Sequence, residues 1–540
     1  MMRWWGWGRD EDAIELPPAA AELLRGELGL SGDERGARVA LDEVQLAPAR
    51  LGERARRALE DIVGASAVMD GREARVAHAA GRGYPDLVRL RAGDARGAPD
   101  AVALPSESAQ LAPLLAACAE HRVAVIPFGG GTSVVGGVEA LPGEHHAAVT
   151  LDLSRLDAVI DVDARSLTAT VEPGIFGPAL ERQLGGSGLT LGHFPQSFEY
   201  STVGGWVATR SAGQASTGYG RIDELVEAVR CTTPAGELAT LDVPASAAGP
   251  SLRELVVGSE GVLGVISAAT LRVRPAPAEQ RYEAWSLPSF EAGAEAFRDL
   301  AQIGATPDVA RLSDEDETRL TMALGSSGGL AEKAGKLYLR AFGSADGCIA
   351  FTGFDGRADD IARRRGRTAE ILRAHGAVAL GTRPGRSWLR GRFAAPYLRD
   401  ELMDRGVMVE TLETATTWSN LQRLYAAVGG ALRTSLAEGG TPPAVMCHIS
   451  HLYPSGASLY FTFVAGQRRG EEIAQWRAAK TAACDAIAAT GGTITHHHAV
   501  GTDHRAWMAS EVGELGVDVL RAVKARVDPA GIMNPGKLLP

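Results

Sequence analysis

Apolar and polar positions follow two different rhythms along this chain. Between residues 108 and 120, Leu111, Leu114, Leu115 and Cys118 recur at i, i+3, i+4 and i+7, the spacing of a helix with one buried face. Directly after it, Val123-Ala124-Val125-Ile126 is a continuous apolar run that reads as a strand buried on both sides. Further strands are predicted at residues 147–151, from about Leu167 to Val171, and at residues 269–273 and 458–464. Residues 9–97 are rich in Ala, Leu, Arg and Glu, with helical stretches at 19–28 and 48–63. Near the end, residues 504–527 hold Trp507, Met508, Val512, Leu515, Val519 and Val523 at helical spacing, and Asp528-Pro529 stops that helix. The pattern is α+β. It divides the chain into a helical N-terminal segment (1–97), a unit of alternating strands and helices (98–276), a second α+β unit (277–500), and a C-terminal helix and tail (501–540). The glycine-rich stretch 325–329 reads as a loop.

The strand at Val123 runs into Pro127-Phe128-Gly129-Gly130-Gly131-Thr132-Ser133-Val134-Val135-Gly136-Gly137. Glycines lift the steric bar on positive φ, so successive backbone N–H groups can converge on an anion, and Thr132 and Ser133 add hydroxyl donors. A Walker A loop needs Lys before Ser or Thr, and no lysine is near. A Rossmann fingerprint needs a helix straight after the glycines, whereas here Pro142-Gly143 leads into another strand. Small residues recur downstream wherever a strand gives way to a loop. They include Glu172-Pro173-Gly174, Gly192-His193, Pro195 with Ser197, Ser201-Thr202-Val203-Gly204-Gly205-Trp206, Ser211 and Gly213. Glu260-Gly261-Val262-Leu263-Gly264-Val265-Ile266 closes the series. Their order and spacing resemble the two-subdomain FAD-binding domain of the vanillyl-alcohol oxidase and p-cresol methylhydroxylase superfamily. The resemblance implies FAD held by Pro127, Gly129, Gly130, Gly131, Thr132, Ser133, Gly136, Pro195, Ser197, Ser201, Thr202, Gly204, Gly205, Ser211, Gly213, Glu260, Gly261, Gly264, Val265 and Ile266.

At 540 residues the chain has room for two or three domains. A net charge of −11 gives nucleic-acid binding no electrostatic support. The arginine run 363–365 and the cluster 386–392 read as solvated faces rather than polyanion sites. Five dispersed cysteines without a CxxC pair point to a reducing compartment. No apolar stretch approaches a membrane span, and the start, Trp5-Gly6-Trp7-Gly8 included, lacks a signal-peptide core. A cytoplasmic protein that touches a membrane from one side is expected.

His496-His497-His498 is the chemistry-bearing tract, because imidazole suits proton abstraction near neutral pH. In an extended segment His496 and His498 would share a face and His497 would point away. With this triplet, nearly the whole chain resembles the alkyldihydroxyacetonephosphate synthase family. The segments that carry the resemblance include the Trp5-Gly6-Trp7-Gly8 start, residues 179–184, Arg311 within 307–312, Glu413-Thr414 with Trp418, and Tyr460 within 456–461. The resemblance implies that acyl-dihydroxyacetone phosphate exchanges its fatty acid for a fatty alcohol through a bond to flavin N5, with no net redox change. It casts His496, His497 and His498 as the base cluster, Tyr460 as the active-site phenol, and Arg311 as a cation beside them. His448 and His193 are expected against the substrate. His448 stands where the family usually has a phosphate-holding arginine, and it lacks the bidentate fork. Gln196 also replaces a family acid. An FAD-dependent dehydrogenase or oxidase of 2-hydroxy acids such as D-lactate or glycolate therefore remains the alternative. No metal site is expected, although His448 and His451 would sit at ligand spacing if locally helical. The expected partners are a lipid-like small molecule, a second copy of the chain and a membrane surface.

Overall fold

The computed structural model describes residues 2–30, 36, 38–324 and 347–540, so the stretch 325–329 lies outside the described residues. The helix Leu111–Glu120 buries Leu111, Leu114, Leu115 and Cys118, preceded by a 3-10 turn Ser108–Gln110. It packs on a four-stranded sheet in which Val123–Phe128 and Ala147–Asp152 run parallel. Val123 and Val125 face this helix, while Ala124 and Ile126 face a separate apolar cluster with Ala140 and Ala148. Burial on both faces is why this strand is written without alternation. A second sheet of five antiparallel strands is centred on Val265–Arg272, which begins four residues earlier than the pattern suggests.

The third sheet has eight strands and holds the other side of the molecule. Its strands Val309–Ser313, Val407–Thr417, Ala444–Ile449 and Gly456–Gly466 alternate strictly. Leu312, Met408, Leu412, Cys447, Ile449, Phe461 and Phe463 point into one core under the helices Leu421–Glu438 and Glu472–Thr490. Arg311, Val409, Thr411, Met446, His448, Tyr460, Thr462 and Val464 point the other way, into a cavity. A period of two thus places one face of each strand in the core and turns the other, with its reactive residues and with Val409, Met446 and Val464, into the cavity.

Residues 1–97 are divided between these sheets. Val68–Met69 pairs with Ala101–Ala103 beside the parallel strands, whereas the helix Pro18–Leu28 packs through Leu24 and Leu28 on Leu402, Val407 and Val464. At the other end, the tail returns to the first sheet, where Val125 N donates to Ile532 O at 2.8 Å. The C-terminal helix runs Met508–Val527 after a 3-10 turn Arg505–Trp507. Its expected apolar face is not the buried one: Val512, Leu515 and Val519 are exposed, and Met508 and Val517 are buried. Gly513 at φ 75° interrupts the helix and shifts the phase of every residue after it.

Candidate active site

One cavity of about 630 Å³ separates the glycine loops from the eight-stranded sheet. Of the residues expected to hold FAD, Pro127, Gly129, Gly130, Gly131, Thr132, Ser133, Pro195, Ser197, Ser201, Thr202, Gly204, Gly205, Ser211, Glu260, Gly261, Gly264 and Ile266 line it. Gly136, Gly213 and Val265 do not; Val265 is fully buried in its strand, and Gly213 presses on the Phe194 backbone. The loops meet backbone to backbone. A Cβ on Gly130 would lie 1.7 Å from Tyr200 O, and Gly131 adopts φ 67°. Thr202 Oγ1 caps the helix Val203–Thr209 by accepting from Gly205 N at 3.4 Å. Among the described residues, no acceptor takes the N–H of Gly130, Gly131, Thr132 or Ser133. Four unspent amides facing a cavity form a cradle that suits a pyrophosphate, so the residues present fit the dinucleotide.

The opposite wall is built from side chains. Residues 496–498 are not extended, which corrects the expectation that His497 points away from its neighbours. The fully buried carboxylate of Glu413 accepts the backbone N–H of all three: His496, His497 at 3.1 Å and His498 at 2.6 Å. Wrapping three amides around one carboxylate curls the tract, so His497 and His498 both face the cavity while His496 turns behind them. There, Tyr453 Oη lies 2.7 Å from His496 Nε2. Beyond Ala499 the tract is held from the cradle side: Glu260 accepts from Val500 N at 2.8 Å and Gly501 N at 2.7 Å. Two buried glutamates, one from each side of the cavity, therefore hold the tract 496–501. Burial raises the pKa of Glu260 to about 7, against the opposing pull of those two amides.

Tyr460 faces the tract, its ring 5.9 Å from His497 and 5.4 Å from His498, and stacks on His448 at 4.8 Å. Burial raises its phenol, which stays protonated. Burial also lowers His497 and His498, so both imidazoles are neutral at pH 7 despite Glu413. Arg311 lies 3.1 Å from each ring nitrogen of His448 and donates to Glu317 Oε1 at 2.8 Å. His448 Nδ1 is 3.1 Å from the same oxygen. Arg311 can only donate, so His448 fits with Nδ1–H on Glu317 and Nε2 accepting. Burial pushes the Glu317 carboxyl up, but His448 and Arg311 outweigh it and hold it at about 2.

Two expectations change. His193 does not reach the cavity: it is buried behind Ser211, with Nε2 3.2 Å from that hydroxyl, because its ring packs on Trp206. His448 and His451 do not pair, since the first lies in a strand rather than a helix. His451 instead groups with His496 and His497, with one ligand atom from each within 4.8 Å of the others, a set able to hold a metal ion. The sequence also gave no role to Arg399 or Glu317, which line the cavity, or to Glu413. Glu413 pairs directly with Tyr460 across the sheet, so a polar residue on the reactive parity of a β-branched strand was the available signal.

Past Tyr460 the cavity turns apolar. Leu16, Leu24, Leu402, Val409, Met446 and Val464 line this arm.

A model of the FAD binding domain matches residues 99–242, and one of the C-terminal domain of FAD linked oxidases matches residues 276–538. The chain is 34% identical over 478 residues to the alkyldihydroxyacetonephosphate synthase of Dictyostelium discoideum, covering 87% of this chain and 78% of that protein. A solved alkyldihydroxyacetonephosphate synthase superposes with a TM-score of 0.86 at 30% identity, covering 99% of this chain and 98% of the other. Substrate-bound p-cresol methylhydroxylase shares the fold, with a TM-score of 0.69 at 15% identity over 91% of this chain and 98% of the other.

Proposed function

Because the chain belongs to the alkyldihydroxyacetonephosphate synthase family, we propose that its cavity exchanges the acyl group of acyl-dihydroxyacetone phosphate for a fatty alcohol. The protein is an FAD-dependent enzyme. The observation that carries the reading is a cavity with an amide cradle at one wall, neutral imidazoles at the other and an apolar arm beside them. Residues 98–276 hold the cofactor, 277–500 form the substrate side, and 501–540 return to the cradle. Bound FAD supplies the electrophilic ring that an exchange without net redox change requires.

The protein's own groups do the rest. His497, neutral and oriented by Glu413, takes the proton from the substrate carbon that carries the acyl group. His498 and Tyr460 flank that position, where the phenol donates to the departing carboxylate. Arg311 and Arg399 supply positive charge for the phosphate, with His448 between Arg311 and Tyr460. The fatty acid leaves as its C–O bond breaks. The alcohol passes its proton to the Tyr460 oxygen and bonds through its own oxygen to the same carbon. His497 returns a proton to that carbon, so both protein groups end as they began. The arm from Val409 to Leu24 holds the alkyl chain.

The substrate is amphiphilic, which supports contact with a membrane from one side. No described helix is long and apolar enough to cross one. A cytoplasmic location is supported by five free, buried cysteines. A homodimer belongs to the same proposal: the exposed stripe Val512, Leu515 and Val519 is apolar surface of the kind a second copy buries, and light scattering tests it.

Labelled fatty alcohol offered with acyl-dihydroxyacetone phosphate should appear in an ether product while the flavin stays oxidised. Bleaching by D-lactate or glycolate without label transfer would replace this reading with 2-hydroxy-acid oxidation, which has less support.

A further inference from the structure

Among the described residues, three arginines line the cavity, and two of them are already neutralised. Arg311 donates to Glu317 Oε1 at 2.8 Å, while Glu317 Oε2 is buried with no partner, so an anion entering that corner meets an ionised carboxylate. His448, kept neutral by burial, adds no charge there. Arg399 is buried against Glu410 Oε1 at 3.4 Å and donates to Arg82 O at 3.2 Å. Arg392 differs from both. It closes the arginine cluster 386–392, yet it is half-buried rather than part of a solvated face. Its guanidinium packs on two rings, 4.5 Å from Phe194 and 4.7 Å from Phe393, and Phe198 braces those rings at 5.2 and 5.4 Å. Cation–π contacts hold a charge in place without cancelling it. The backbone is fixed as well: Arg392 O accepts from Gln196 Nε2 at 2.7 Å and Gln214 Nε2 at 2.9 Å, two neutral amides that also line the cavity. Among the described residues, no carboxylate lies within ion-pair distance of Arg392. The acidic groups that face it are occupied. Asp355 accepts from Tyr219 Oη at 3.0 Å and Gln280 Nε2 at 3.2 Å; Glu181 accepts from Thr190 Oγ1 at 2.6 Å and from the Leu191 and Gly192 amides. Burial raises the Tyr282 phenol, which faces the guanidinium uncharged. Arg392 stands just before the helix Ala395–Asp404, which presents Ala395, Arg399 and Leu402 to the cavity. Leu402, in the apolar arm, lies about 10 Å along that helix from Ala395. An uncompensated cation thus marks the start of the helix, and an apolar channel marks its end.

We infer that Arg392 is the phosphate anchor of this chain: its guanidinium takes the phosphate of acyl-dihydroxyacetone phosphate, setting the head of the substrate near Ala395 and its chain in the arm. The inference rests on the proposed exchange reading and names the residue that makes it selective for a phosphorylated head. A guanidinium meets two phosphate oxygens with two N–H groups, a fork that His448 lacks. Arg311 and Arg399 lend field from within their carboxylate pairs; Arg392 supplies the contact.

Two readouts on the FAD-loaded protein test it. One is binding of radiolabelled dihydroxyacetone phosphate; the other is exchange of labelled fatty alcohol into acyl-dihydroxyacetone phosphate and into acyl-dihydroxyacetone, which has no phosphate. Arg392→Gln should keep its flavin and bind dihydroxyacetone phosphate roughly a hundredfold more weakly. Its KM for the phosphorylated substrate should rise by a similar factor with kcat nearly unchanged, and the preference over acyl-dihydroxyacetone should fall accordingly. Arg392→Lys, which restores the charge without the fork, should recover part of the loss. A role confined to bracing Phe194 and Phe393 would instead lower flavin content and affect both substrates alike, which would overturn the anchor. Binding and KM equal to wild type in Arg392→Gln, or no dihydroxyacetone phosphate bound by wild type, would also overturn it, while label transfer by wild type still supported the exchange reading. Binding that depends on Arg392, together with no label transfer, would leave the anchor standing and remove the exchange.

Discussion

The two walls of the cavity are made of different material. The cradle offers main-chain amides from short, local stretches, and side chains matter there mainly because glycine has none. The facing wall offers side chains from four strands and a curled tract, spread from Arg311 to His498, and its backbone matters only as a scaffold. The first surface should tolerate a change of polarity but not an added carbon; the second should tolerate the reverse. Glu260 and Glu413 join them, because each spends a buried carboxylate on the amides of the same tract. Ligand grip and proton transfer are thus separately encoded but mechanically tied at residues 496–501.

The sharpest break in this comparison is Glu413→Ala. Three backbone donors would lose their acceptor in a buried site, at a cost of about 3–5 kcal/mol. The thermal midpoint should fall steeply and exchange should vanish, as calorimetry and label transfer would show. Gly130→Ala should do the opposite damage. Its Cβ meets the Tyr200 carbonyl, so about 1–3 kcal/mol of strain would fall on the cradle and flavin absorbance per protein should drop. The imidazole wall would stay intact.

Acid should strike the side-chain wall first. Burial lowers His448, His451, His496, His497 and His498 below their usual 6.5, so below that pH the unfolded chain binds protons that the folded one refuses. Stability is then lost as pH falls through 6.5, by about 1.4 kcal/mol per pH unit for each ring that stays neutral. Glu317, held at about 2 against an ordinary 4.5, adds a loss that begins as pH falls through 4.5. A thermal midpoint as high at pH 5 as at pH 8 would contradict this electrostatic account. The smallest effect is expected of Tyr460→Phe, which keeps the ring stack on His448 and removes one donor: turnover should fall about tenfold with flavin content unchanged.

The same contrast explains what the sequence made legible. The cradle is local, so the run from Pro127 to Gly137 and the glycines near Gly204 and Gly261 announce it within a few residues. Strand parity also placed Tyr460 on a readable element. What stayed hidden depends on distant pairing. Glu413 organises a tract more than eighty residues away, and Glu317 serves Arg311 and His448 from a separate helix. The curl at His496–His498 could not be read from local spacing because the force that bends it comes from another strand. In the C-terminal helix, one glycine at positive φ was enough to turn the expected inner face outward.

The central claim is that one side chain, His497, can be removed from the reaction without loosening the cofactor. The direct measurement is His497→Ala, with flavin absorbance per protein and transfer of labelled fatty alcohol read on the same preparation. A full complement of flavin with exchange reduced roughly 10²- to 10⁴-fold is the predicted outcome. Undiminished exchange, or flavin lost in step with activity, would contradict it.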